Sequence, residues 1–298
     1  MSEFQKGLEL TTDALRKLAE SGSALRGSRE ALGRLGAARE GARVSRPAAK
    51  VETAEAKAET VAAKVTAVAA KVARPLAAAP VAPPTEVYPT TGKTKAERME
   101  QARAAVGICA KCEKLAATRT QTVFGVGNPD ARIMFVGEAP GADEDLQGEP
   151  FVGKAGQLLT KIIETMGLKR GDVFIANVLK CRPDMPAGSS GNRRPSTKEM
   201  ETCLPYLRAQ IEIIKPEVLV ALGAVAMEGL LGTVEPMGRL RGRWHEFQGI
   251  PLMATYHPAY LLRNQALGEK RKVWEDMLMV MEKVGLEITE RQRGYFLK

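Results

Sequence analysis

Four cysteines divide into a close pair, Cys109 and Cys112, and two distant members, Cys181 and Cys203. A Cys-x-x-Cys pair with two more thiols and no fifth is the donor set of one four-coordinate metal ion or one iron–sulfur cluster. Spacing alone does not separate zinc from [4Fe–4S]. The chain has two histidines. His257 precedes a proline at the exit of an apolar run, in Tyr256-His257-Pro258-Ala259-Tyr260-Leu261-Leu262-Arg263, where a side chain is presented to a cleft. His245 follows Trp244 in a Gly/Arg-rich segment and reads as a loop or edge-strand residue, so His257 is the candidate for proton or hydrogen-bond chemistry. Asn177 ends another apolar run, and its amide offers one acceptor and one donor group. Interleaved with the cysteines, this segment and Gly137-Glu138-Ala139-Pro140-Gly141 read as a nucleobase pocket beside a metal centre.

These residues need elements to position them. Short apolar runs at 132–136, 173–179, 217–222 and 251–255 suit buried parallel strands. Between them lie helical stripes. Ala155, Leu158, Leu159, Ile162, Ile163 and Met166 form one that Gly167 ends; Val273, Met277, Val280, Met281 and Val284 form another. Ser196-Thr197-Lys198-Glu199 resembles a capped helix start. Strands alternating with helices predict a three-layer α/β/α sandwich with a mostly parallel central sheet over residues 96–298. In such sheets ligands bind beyond the carboxyl ends of the strands, where the Gly137–Gly141 turn, Asn177 and His257 all fall.

Residues 1–95 have a different texture. A degenerate seven-residue repeat runs from Ala48, with Lys50, Lys57, Lys64 and Lys71 at one position, and an Ala/Pro linker follows Pro75. An Ala/Val seam buries little area, so residues 1–75 read as a partly helical or disordered basic tail touching nucleic acid nonspecifically, or as a partner-docking helix. The net charge is +9, and residues 1–95 carry 16 Lys/Arg against 10 Asp/Glu, leaving 28 against 25 for the rest. That balance favours polyanion partners over acidic ones. The N-terminus shows no secretory pattern, and no 18-residue apolar stretch predicts a membrane span. Clustered thiols in a chain without a secretory pattern read as ligands rather than disulfides, with a cytoplasmic, nucleoid-associated setting expected.

Six segments, in order, carry a family resemblance. They are Cys109-x-x-Cys112, Val136–Gly141, Pro150-Phe151-Val152-Gly153-Lys154-Ala155-Gly156, Asn177-Val178-Leu179-Lys180-Cys181-Arg182-Pro183, Cys203, and the His257–Arg263 segment. Over roughly residues 98–285 the chain resembles the family 4, iron–sulfur uracil-DNA glycosylases. The resemblance implies a monofunctional enzyme that flips uracil out of DNA and hydrolyses its glycosidic bond; a monomer is expected. It implies a [4Fe–4S] cluster on Cys109, Cys112, Cys181 and Cys203. It also implies a uracil pocket from Gly137, Glu138, Ala139, Phe151, Asn177 and His257, with His257 and Glu138 catalytic.

Two departures favour turnover over the covalent capture practised by a related branch. The segment before Cys203 is long and contains Asn192-Arg193-Arg194-Pro195 with no histidine, and Ala139 stands where that branch has glutamine. Ala139 also stands where many uracil glycosylases place the aspartate that orients water. The backbone of residues 137–139, Glu138, Asp143, Glu144 and Asp145 are the remaining candidates, the last three otherwise reading as an exposed acidic turn. Tyr260, Leu261 and Leu262 are candidate wedges for the space a flipped base leaves. Arg239, Arg241 and Arg243 would share one face of an extended segment and, with Arg263, meet phosphates.

Overall fold

The structure, a computed structural model, describes residues 86–183 and 191–297; the heptads, the Ala/Pro linker and residues 184–190 lie outside that range. The apolar runs become strands of one six-stranded sheet: β1 (Val126–Gly127), β2 (Ile133–Gly137), β3 (Phe174–Asn177), β4 (Val218–Leu222), β5 (Trp244–Phe247) and β6 (Ile250–Thr255). Their order is β1-β3-β2-β4-β6-β5. The four middle strands run parallel, and β1 and β5 close the edges antiparallel. β3 stops at Asn177, earlier than its apolar run, because the amides of Val178 and Leu179 turn to the carbonyls of Gly137 and Glu138 at 3.0 Å. That turn draws the Asn177 end of the strand onto the glycine-framed loop.

Alternate residues of each middle strand point to opposite faces. Met134, Val136, Ala176, Leu219, Ala221, Leu252 and Ala254 join one core; Ile133, Phe135, Ile175, Val218, Val220 and Met253 join the other. Helices α1 (Lys95–Gly107), α5 (Thr197–Ile214) and α6 (Ala224–Leu231) cover the first face. Helices α4 (Lys154–Thr165) and α9 (Leu267–Lys283) cover the second. Short helices α2 (Glu113–Thr118), α3 (Ala142–Gln147), α7 (Met237–Leu240), α8 (Pro258–Arg263) and α10 (Glu290–Arg293) complete the described residues. The fold is the expected α/β/α sandwich.

Local signals explain the helix limits. Ser196 and Glu199 form a reciprocal cap on α5, Ser196 N–H donating to Glu199 Oε2 at 2.7 Å and Glu199 N–H to Ser196 Oγ at 3.3 Å. The α4 stripe buries Leu159 and Ile163 and ends where Gly167 takes φ +85°. Tyr88, ahead of α1, donates its backbone N–H to Pro205 O at 3.0 Å and packs its ring 5.0 Å from that of Tyr206 on α5. Among the described residues no helix is long and apolar enough to cross a membrane.

Candidate active site

At the carboxyl ends of β2 and β3, two side chains, Asn177 and Phe151, meet over Gly137. A β-carbon added there would lie 2.4 Å from Asn177 Oδ1 and 2.5 Å from Phe151 Cζ, so only glycine lets the amide and the ring approach. The Phe151 ring in turn lies 5.6 Å from that of His257, tilted by 31°. Asn177, Phe151, His257, Glu138, Ala139 and Arg263 line one cavity of about 530 Å³, within the usual size of small-ligand sites. The structure therefore brings the sequence-nominated amide and imidazole to a single space.

Asn177 is 2% exposed, and its Oδ1 is buried with no hydrogen-bond partner. Buried polar atoms are rarely left unpaired, and this acceptor is open to a donor that enters the cavity. Phe151 holds φ +55°, a conformation that strains a bulky residue. It fits because Gly156 lies against it: a β-carbon at Gly156 would sit 1.8 Å from the Phe151 carbonyl oxygen.

His257 caps α8, ahead of Pro258 at the first helical position. The Ala259 N–H donates to His257 Nδ1 at 3.1 Å. A neutral ring so held carries its proton on Nε2. Burial, and then the nearby Arg263 charge, pull the imidazole down to about 4, against the weaker opposing pull of Glu144. His245 is accounted for elsewhere: it lies in edge strand β5 with Nε2 2.7 Å from the Leu240 carbonyl.

The acidic turn is not the exposed feature its sequence implied. Asp145 is 3% exposed and both its oxygens accept from Thr120 N–H, at 3.1 and 2.9 Å. Glu144 accepts from the N–H groups of Gly141 at 2.9 Å, Val152 at 2.9 Å and Gly153 at 3.0 Å, pinning the Gly141 turn to the Phe151 loop. Both carboxylates are engaged by backbone N–H groups, although Glu144 also lines the cavity. Glu138 and the exposed Asp143 line the cavity without such duties. Burial raises the Glu138 carboxyl above its ordinary value, with Arg194 opposing and Glu228 adding to the rise.

Three surface expectations change. Leu261 is 5% exposed and belongs to the core, whereas Leu262 is 40% exposed; helical geometry turns neighbours to different sides. Arg241 is engaged inside the molecule: its guanidinium pairs with the buried Asp276 carboxylate at 3.0 and 2.8 Å. Arg239, Arg241 and Arg243 share no extended face, because Arg239 lies in α7 and Gly242 bends the chain at φ +73°.

The cysteines come together from four places. Cys109 follows α1, Cys112 caps α2, Cys181 follows β3 and Cys203 lies on α5, and all four line one small pocket with Val106, Leu115 and Tyr206. Arg119 Nη1 donates to Cys181 Sγ at 3.0 Å, and Lys180 N–H donates to Cys203 Sγ at 3.2 Å. Burial pushes the Cys203 thiol up to about 12, and burial followed by its neighbours Cys181 and Cys109 raises Cys112. Four thiols lining one pocket, with N–H donors on the sulfurs of Cys181 and Cys203, are a donor set that fits a shared cationic centre. Among the described residues no three Cys, His, Asp or Glu side chains are gathered as ligands of a metal ion. Sequence reading passed over Arg119 and Lys180, and named Glu144 only as a candidate to orient water; of the first two, Lys180 alone carried a signal, its place between Asn177 and Cys181.

The chain is similar to known proteins over the described fold. Residues 124–278 match the family model described as the uracil DNA glycosylase superfamily. A type-4 uracil-DNA glycosylase of Thermotoga maritima is 44% identical over 186 residues, which are 62% of this chain and 93% of the relative. That of Archaeoglobus fulgidus is 45% identical over 170 residues, 54% and 82% of the two chains. A type-5 uracil-DNA glycosylase of Pyrobaculum aerophilum is more distant, 29% identical over 189 residues, 52% and 80% of the two chains.

Proposed function

The chain belongs to the uracil DNA glycosylase superfamily and, within it, to the type-4 uracil-DNA glycosylases, and from that premise we propose how its cavity removes uracil from DNA. The observation that carries the reading is the orphaned Asn177 Oδ1 beside the Phe151 ring. Uracil presents an N3–H donor and an O4 acceptor. Oδ1 takes the first, the amide nitrogen serves the second, and Phe151 stacks on the ring, a contact worth about 1–3 kcal/mol. Cytosine has no N3–H and would leave the buried oxygen unpaired, at about 1–3 kcal/mol.

Flipping the nucleotide into the cavity costs a few kcal/mol of stacking. Leu262, exposed beside the cavity-lining Arg263, would fill the gap, and Arg263 would meet a phosphate. As the bond from C1′ to N1 breaks, its electron pair passes to the uracil ring, chiefly O2. The neutral His257 donates its Nε2–H to that oxygen; a preorganised donor of this kind is worth about 10²–10³ in rate. A water oxygen bonds to C1′, with Glu138 orienting it, and the water proton leaves through solvent to the uracil anion. The products are uracil and an abasic site.

Cys109, Cys112, Cys181 and Cys203 would hold a [4Fe–4S] cluster, with zinc the other occupant that four thiolates accept. When bound, it supplies a structural brace for the loop that follows Asn177 and no bond-breaking chemistry.

A uracil-containing oligonucleotide treated with protein and then alkali tests the reading. Cleaved product in excess of protein is expected, falling about 10²–10³-fold for His257→Ala with DNA affinity retained. Near-wild-type rates for that variant, or a denaturation-resistant protein–DNA band in place of product, would overturn it.

A further inference from the structure

Lys180 lies between the base-facing amide and the cysteines, and no step above uses it. Its side chain is 1% exposed. Nζ donates to the backbone carbonyl of Asn177 at 2.9 Å and to Gln210 Oε1 at 2.6 Å, and stands 6.0 Å from the centre of the Phe124 ring. Gln210 is itself fixed, its Nε2 donating to the Phe124 carbonyl at 2.9 Å. The Lys180 backbone is held as well: its N–H donates to Cys203 Sγ at 3.2 Å, and its carbonyl accepts from Val123 N–H at 2.7 Å.

Burying an ammonium is costly unless its protons are all but satisfied. A methionine would fill the same volume without that cost. What the lysine provides is a connection. The strand ladder ends at Asn177, so the carbonyl there needs a donor from elsewhere. Gln210 lies about two turns beyond Cys203 on α5, on the same side of the helix. One side chain therefore joins the peptide carrying the base reader to the helix carrying a cysteine.

We propose that Lys180 is a positioning residue for uracil recognition, its buried ammonium locking the Asn177 peptide to the cysteine-bearing helix so that the amide meets the base in one orientation. The proposal rests on the reading of Asn177 as the base reader. Lys180→Met alone strands the Gln210 oxygen in the core. The double variant Lys180→Met/Gln210→Met removes that side-chain pair at similar volume and strands no side-chain oxygen, while the Asn177 and Phe124 carbonyls each lose a donor.

The experiment measures, on full-length protein, thermal unfolding, bound metal and sulfide, affinity for undamaged DNA, kcat, KM, and inhibition of excision by free uracil. For the double variant we expect cooperative unfolding, wild-type metal content and unchanged affinity for undamaged DNA. Inhibition by free uracil weakens by about tenfold or more, with kcat falling in step, as expected for a lost hydrogen bond to a charged group. A folded, metal-loaded double variant whose uracil inhibition and kcat stay within about twofold of wild type would overturn the proposal. Asn177→Ala, run in parallel, separates the two claims. If it abolishes uracil inhibition while the double variant does not, only the role of Lys180 falls. If it too leaves inhibition unchanged, the base-reader assignment fails and Lys180 with it.

Discussion

His257 is buried and its charging is disfavoured, and that has a thermodynamic signature. Its folded value of about 4 lies below the ordinary histidine value of 6.5, so between those limits the unfolded chain binds a proton that the folded chain refuses. Stability from this group is whole above pH 6.5 and drains away as pH falls towards 4. Denaturant midpoints measured from pH 7 to 4 should fall less steeply for His257→Asn than for wild type; parallel curves would refute the burial argument. Residue type and spacing made Asn177, His257 and the cysteines legible in sequence. Glu144, Asp145 and Arg119 were not legible, because their duties depend on partners such as Thr120, Val152 and Cys181 that only folding brings near.

At the scale of elements, the pocket depends on how closely strand ends and loops approach. Gly137 ends β2 under the Asn177 amide and the Phe151 ring. Gly137→Ala should retain most of the fold yet cost about 10² in kcat/KM, the usual effect of a displacement of order 1 Å at a reacting centre. Excision kinetics beside thermal unfolding would check this, and unchanged kinetics would show the amide and ring need not meet there. The middle strands were readable because period-two burial on both faces yields unbroken apolar runs. The edges were not. Two residues, Val126 and Gly127, carry no period, and β5 presents the mixed segment Trp244–Phe247 to partial solvent. Arg241 misled for a related reason, since alternating arginines look the same in an extended strand and across a bend, and the buried Asp276 lies 35 residues away.

For the whole molecule, the family match starts at residue 124, and the described sheet, both cores and the cavity lie within residues 86–297. Residues 1–85 hold 14 Lys/Arg against 9 Asp/Glu. A chain lacking them should excise uracil at close to the wild-type rate but elute from DNA at lower salt, since fewer phosphates are neutralised. A matched elution profile would remove the tail from the DNA account, and lost excision would make it integral. The purified protein should also be brown and carry iron with acid-labile sulfide; colourless protein with stoichiometric zinc would reassign the cysteine centre. The sheet itself has a consequence for handling. Its two borders are strands of only two and four residues. A neighbouring copy finds few open amides on which to zip a strand, so concentrated stocks should stay clear of fibrils where longer, flatter borders would seed them.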